Sequence, residues 1–221
     1  LVAATIRQAL KDADGRVRAA AVMALPRVSS RFRLKWDLQK DFSDALQDAD
    51  PDVRAAAARR ILIFQRPALI DQLMTFLRDD SQPLGVRVAA AATLVRHQEY
   101  DLPRSEKDAI GAAVASVTPA IIEALRDSSP LVRKDAIVVL GALRRREASA
   151  DLLQRALHDD DLEVRLVAIQ VLGNWRVRDP AVIRGLMSVW RQNWQYPVVW
   201  LFRPSLTRNR LTSETAVALE Q

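Results

Sequence analysis

Apolar residues along the chain recur at helical spacing, and one mixed polar and apolar phrase returns again and again. Val2, Ile6, Ala9 and Leu10 make a single stripe on a first helix. Lys11 to Gly15 interrupts it, with Asp14 placed to cap a second helix that starts near Arg16. Val17, Ala21 and Leu25 then stand at i, i+4 and i+8, a spacing that predicts one buried row facing the first helix. The small alanine in the middle of the row lets two helices approach closely. Each predicted unit is therefore an outer helix, a short acidic turn and an inner helix.

The phrase Leu-x-Asp, then Val-Arg, then Ala four and Leu or Ile eight positions after the Val, occurs five times. Its acids are Asp12, Asp48, Asp79, Asp127 and Asp159, and its arginines are Arg18, Arg54, Arg87, Arg133 and Arg165. The Leu-to-Val step is seven in four copies and nine in the third (77→86), so Ser81-Gln82-Pro83 carries a two-residue insertion in a turn. Units fall at about 1–26, 37–65, 67–97, 119–146 and 148–175, with a partial one at 179–195 and a terminal cap at 196–221. Expected helices include 38–47, one beginning at Pro51, 68–78, 85–97 and 119–126. A Ser- and Arg-rich linker is expected after Pro26. An interruption at 99–118 holds a candidate extra helix over 105–117, capped by Ser105 with Asp108 in its first turn. Self-similarity of this period is the mark of a solenoid, in which each unit packs mainly on its neighbours.

These tandem phrases resemble the HEAT repeat family, in the short bacterial variety also found in phycobilin lyases, over about residues 1–195. The resemblance implies an all-α, right-handed α-solenoid of five to six two-helix repeats, outer helices convex and inner helices concave. It also implies a scaffold that chiefly binds proteins. Some such arrays bind nucleic acid, and a few handle a pigment or a DNA base. No catalytic residue is carried over, because the matched positions are structural.

Composition narrows this further. The 221 residues are 49% hydrophobic and 27% charged, with six glycines, which favours helix and an ordered core. The absence of cysteine excludes thiol chemistry, disulfides and Cys-based zinc sites without naming a compartment. No apolar run approaches the roughly 18–20 residues of a membrane span. The chain starts at Leu1, inside a helical pattern, and reads as a module of a larger protein. A net charge of +6 permits an anionic partner.

An acid and an arginine repeated in every unit answer to stacking, so they read as a structural ladder of charge-assisted bonds along the array. Asp159-Asp160-Asp161-Leu162-Glu163 lacks the alternating loop of a calcium site and reads as crowded capping. Partner choice belongs instead to what varies between copies. Two and six positions after each Val stand Ala19 and Met23, Ala55 and Arg59, Val88 and Ala92, Lys134 and Val138, Leu166 and Gln170. This column suits a peptide or helix in a groove. The connections between units gather Arg59, Arg60, Arg144, Arg145 and Arg146 into a basic rim, although arginine also favours helix C-termini without any ligand. Trp190, Trp194 and Trp200 close the last unit or dock a partner. His97 and His158 have no catalytic partner at motif spacing. The reading is a non-catalytic protein-interaction scaffold without cofactor or metal. A nucleic-acid-binding solenoid using the basic rim is the alternative, and a lyase-like pigment chaperone the weaker one.

Overall fold

The computed structural model describes residues 2–32, 38–61, 67–97, 102–143 and 156–174. Among them are ten helices and no strand. They are α1 (Val2–Ala9), α2 (Gly15–Phe32), α3 (Leu38–Leu46), α4 (Pro51–Arg60), α5 (Pro67–Arg78), α6 (Leu84–His97), α7 (Arg104–Ser116), α8 (Thr118–Ala124), α9 (Pro130–Leu143) and α10 (Leu162–Asn174). The chain is an all-α solenoid.

Local chemistry sets the helix starts. Asp50 sits in extended backbone (φ −80°, ψ 122°) ahead of α4, and its carboxylate accepts the Asp52 amide at 2.8 Å. Pro51 fills the first helical position, where no amide is needed. Asp14 does the same for α2, accepting the Arg16 amide at 2.8 Å. Two expectations fail. Helix α2 does not stop at Pro26 but runs on to Phe32, although a proline amide cannot close the bond to residue 22. Helix α7 is preceded by Pro103, with no side-chain cap, so Ser105 lies inside the helix. Glu106, not Asp108, supplies the acid of its first turn.

The inner helices α2, α4, α6, α9 and α10 pack on one another in sequence, and each outer helix packs on its own inner partner. Successive outer helices barely meet, so the inner row lies on the inside of the curve. Helix α7 joins the outer layer between α5 and α8 and also touches α6 and α9, while α6 and α9 still pack directly. The outer layer therefore holds an extra helix at the place where the inner layer holds none, which wedges the outside open and closes the inside.

The core is one row per unit. Val53, Val86, Val132 and Val164 are buried, as are Ala21, Ala57, Ala90, Ala136 and Ala168 and the Leu or Ile eight positions after each Val. Val17 is the exception. It is 38% exposed, so the first unit's row is not fully buried as the spacing predicts. In α6 every residue from Val88 to Val95 is buried, whichever way it points. Four of these are the alanines Ala89–Ala92, and four more, Ala55–Ala58, are buried in α4. Methyl-sized side chains on all sides let neighbouring helices approach from every direction.

Candidate interaction surface

The repeated arginine and aspartate meet across units. Arg18 of the first unit forks onto Asp48 of the second, both bonds 2.8 Å. Arg133 of the fourth forks onto Asp159 of the fifth, both 2.7 Å. In each case the other guanidinium arm, Nη1, donates to two carbonyls of its own turn: Asp12 and Ala13 for Arg18, Asp127 and Ser128 for Arg133. Each arginine thus clamps its own turn while reaching forward. The accepting carboxylate also caps locally, Asp48 taking the Asp50 amide and Asp159 the Asp161 amide. Asp161 in turn takes the Val164 amide, so two acids of the Asp159–Asp161 cluster are engaged in caps and the ladder.

The middle rungs differ, and the long third turn is the reason. Asp79 is taken up by Ser81 and Gln82 of its own turn, so Arg54 reaches Gln82 Oε1 at 3.2 Å instead of an acid. Arg87 pairs with Asp80 of its own turn at 2.7 Å, and Asp127 accepts the Ser129 amide. Arg165 keeps two carbonyls of its own turn, at Asp159 and Asp160, while its buried Nε has no hydrogen-bond partner among the described residues.

These bonds move the carboxylates. The Arg18 fork holds Asp48 below its ordinary range. At Asp159 burial pushes upward, but the Arg133 hydrogen bond, the Asp161 amide and the charges of Arg133 and Arg165 together leave the group lowered.

The concave column is not uniformly open. Val88, Ala92 and Ala55 are buried, so Val88 does not offer a partner surface as its place in the column predicts. These residues belong to the packed core that joins the inner helices. Met23 is partly exposed and accepts from Arg60 Nε at 3.3 Å. On α9 and α10 the column reopens. Val138 and Leu166 are partly exposed and Gln170 is exposed, with Lys134 3.8 Å from Glu163 beside them.

At the sealed centre sits a buried charge cluster. Arg59 of α4 reaches past α6 to bond Asp135 of α9 at 2.6 Å, and Arg96 of α6 approaches the same carboxylate at 3.7 Å. Asp135 is 4% exposed. Burial pushes its carboxyl up, against the charge and hydrogen bond of Arg59. Arg59, expected to face a partner, is thus an internal strut. Asp135 was legible as a break in pattern, since three positions after each Val the other copies carry Ala20, Ala56, Ala89 and Val167.

Two blocks of the chain, residues 2–95 and 117–199, match the family model for HEAT repeats. The chain belongs to the HEAT-repeat family. A comparison with curated proteins returned no match. HEAT proteins are in general non-enzymatic and commonly serve as protein-interaction scaffolds. The gap between the blocks contains α7, so the HEAT pattern breaks where the extra helix enters the outer layer. Among the described residues no helix is long and apolar enough to cross a membrane. Arg144, Arg145, Arg146, Trp190, Trp194 and Trp200 lie outside the described residues, as does the side chain of His97. His158 is exposed in a turn.

Two outcomes follow for this HEAT array. Asp48 and Asp159 titrate lower in the folded chain than the roughly 3.9 of an unfolded aspartate, so their contribution is complete above that value and fades as pH falls through their folded values. Urea unfolding at pH 6 and pH 3 therefore finds a smaller acid loss in the Asp48→Asn, Asp159→Asn chain than in the parent. At the centre, Asp135→Ala alone lowers stability by about 3–5 kcal/mol, because Arg59 is left buried without its carboxylate. Arg59→Met with Asp135→Leu loses markedly less in the same denaturant titration, since both charges leave together.

Proposed function

We propose that this chain is a non-catalytic binding module of a larger protein or complex, which receives a peptide or helix of a partner protein across α9 and α10. The observation that carries the reading is the contrast along the variable column. Its central members are sealed, while Val138, Leu166 and Gln170 stay accessible on adjacent inner helices. Lys134 and Glu163 edge this strip with one charge of each sign. An apolar stripe edged by mixed charge fits an amphipathic segment better than a phosphate backbone.

The basic-rim alternative loses two of its members. Arg59 is engaged with Asp135, and Arg60 with Met23. The described Arg18 and Arg133 are likewise committed to the ladder.

The test begins with retention of partners from source lysate at low and high salt with nuclease, followed by titration of the purified partner. Leu166→Glu with Gln170→Glu raises Kd at least tenfold, about 1.4 kcal/mol, while thermal unfolding stays unchanged. Retention only of nucleic acid, released by salt and lost in an Arg144→Ala, Arg145→Ala, Arg146→Ala chain, overturns the reading in favour of the rim.

A further inference from the structure

The charges that meet between α4, α6 and α9 do not cancel. Arg59 of α4 and Arg96 of α6 converge on one carboxylate, Asp135 of α9. Arg59 Nε donates to Oδ2 at 2.6 Å, and both of these side chains are largely buried. Arg96 Nη2 stands 3.7 Å from Oδ1, too far for a hydrogen bond. Arg59 therefore satisfies Asp135, and Arg96 is left over. Lys134, the next residue on α9, does not change the balance, because Glu163 lies 3.8 Å from it. The cluster as a whole carries one positive charge in excess.

The surplus cation is held in place yet reachable. The Arg96 side chain is 35% exposed, so its stem is covered while its head meets solvent. Among the described residues its guanidinium makes no hydrogen bond. Arg96 lies one turn beyond the buried Ala92 on α6, and Val138 lies one turn beyond Asp135 on α9. The guanidinium thus stands beside the start of the apolar strip that Val138 and Leu166 continue. A planar fork with no acceptor, at the edge of an apolar strip, matches a single carboxylate. A phosphate backbone would need further cations along the strip, where the next described side chains are Val138, Leu166 and Gln170.

We propose that Arg96 anchors an Asp or Glu side chain of the partner segment, which lays its apolar residues on Val138 and Leu166. Arg59 and Asp135 are positioning residues: their bond fixes the carboxylate beside which Arg96 rests and leaves the Arg96 fork free. The inference rests on the reading of α9 and α10 as a peptide groove, and adds the charge that the partner must carry and the place where it docks.

The probe is a library of random dodecapeptides displayed on phage and selected on the full chain, with binders to the Leu166→Glu, Gln170→Glu chain removed. Selected sequences carry an Asp or Glu at one fixed distance from a pair of apolar residues. One of them is synthesised and titrated by fluorescence anisotropy against the parent and Arg96→Gln, whose thermal midpoints agree because Asp135 keeps Arg59. Changing the peptide's acid to its amide raises Kd about tenfold against the parent and less than about twofold against Arg96→Gln. Equal losses in both chains, or strip-dependent peptides that carry no acid and ignore Arg96, overturn the inference and leave the groove standing. Failure to select any strip-dependent peptide overturns the groove and the inference together. A fluorescein-labelled DNA oligonucleotide that binds through Arg96, competes with the peptide and is released by salt also overturns it, because the anion is then a phosphate.

Discussion

Close approach of the inner helices is the constraint on which the rest depends. The alanines at Ala55–Ala58 and Ala89–Ala92 bring α4, α6 and α9 near enough for Arg59 to bond Asp135 across the helix between them. Larger side chains there would push the row apart, and overpacking a filled core typically costs about 1–3 kcal/mol. The extra helix α7 works in the same direction from outside, because an added member of the convex layer narrows the concave one. Curvature is thus built from side-chain size inside and helix number outside.

The arginine ladder acts on a different degree of freedom. Packing of alanine and valine rows is apolar and tolerant of sliding, whereas a planar fork onto a carboxylate fixes one register. Arg18–Asp48 and Arg133–Asp159 fix the first and fourth joints. At the third turn, two added residues let Ser81 and Gln82 capture Asp79, and the fork gives way to a single neutral bond and an in-turn ion pair. That same joint adjoins α6, the most completely buried of the described helices, where close packing holds the register that the ladder leaves open.

Fold and ladder were legible because a period repeated five times averages out local ambiguity. The Val, Ala and Leu columns gave the helices, and the acid and arginine columns gave the partners at Arg18–Asp48 and Arg133–Asp159 but not at the two middle joints. The path of α2 through Pro26 and the start of α7 at Pro103 were not legible, since a proline marks a boundary only when nothing else holds the helix together. The sealed centre was missed for a different reason. Position in a column says which way a side chain points, not how sharply the stack bends, and the bend follows from how Ala92, Val88 and α7 combine. Asp135, a lone acid in an apolar column, was the available clue.

The concave column is closed at α6 and open at α9 and α10. The chain lacks cysteine, so single thiols introduced into it report accessibility without background. The most direct measurement is the labelling rate of Ala92→Cys against Gln170→Cys under native conditions. The sealed centre requires near-random-coil labelling at position 170 and protection at 92 that is lost only on global unfolding. Comparable rates at the two positions would contradict it.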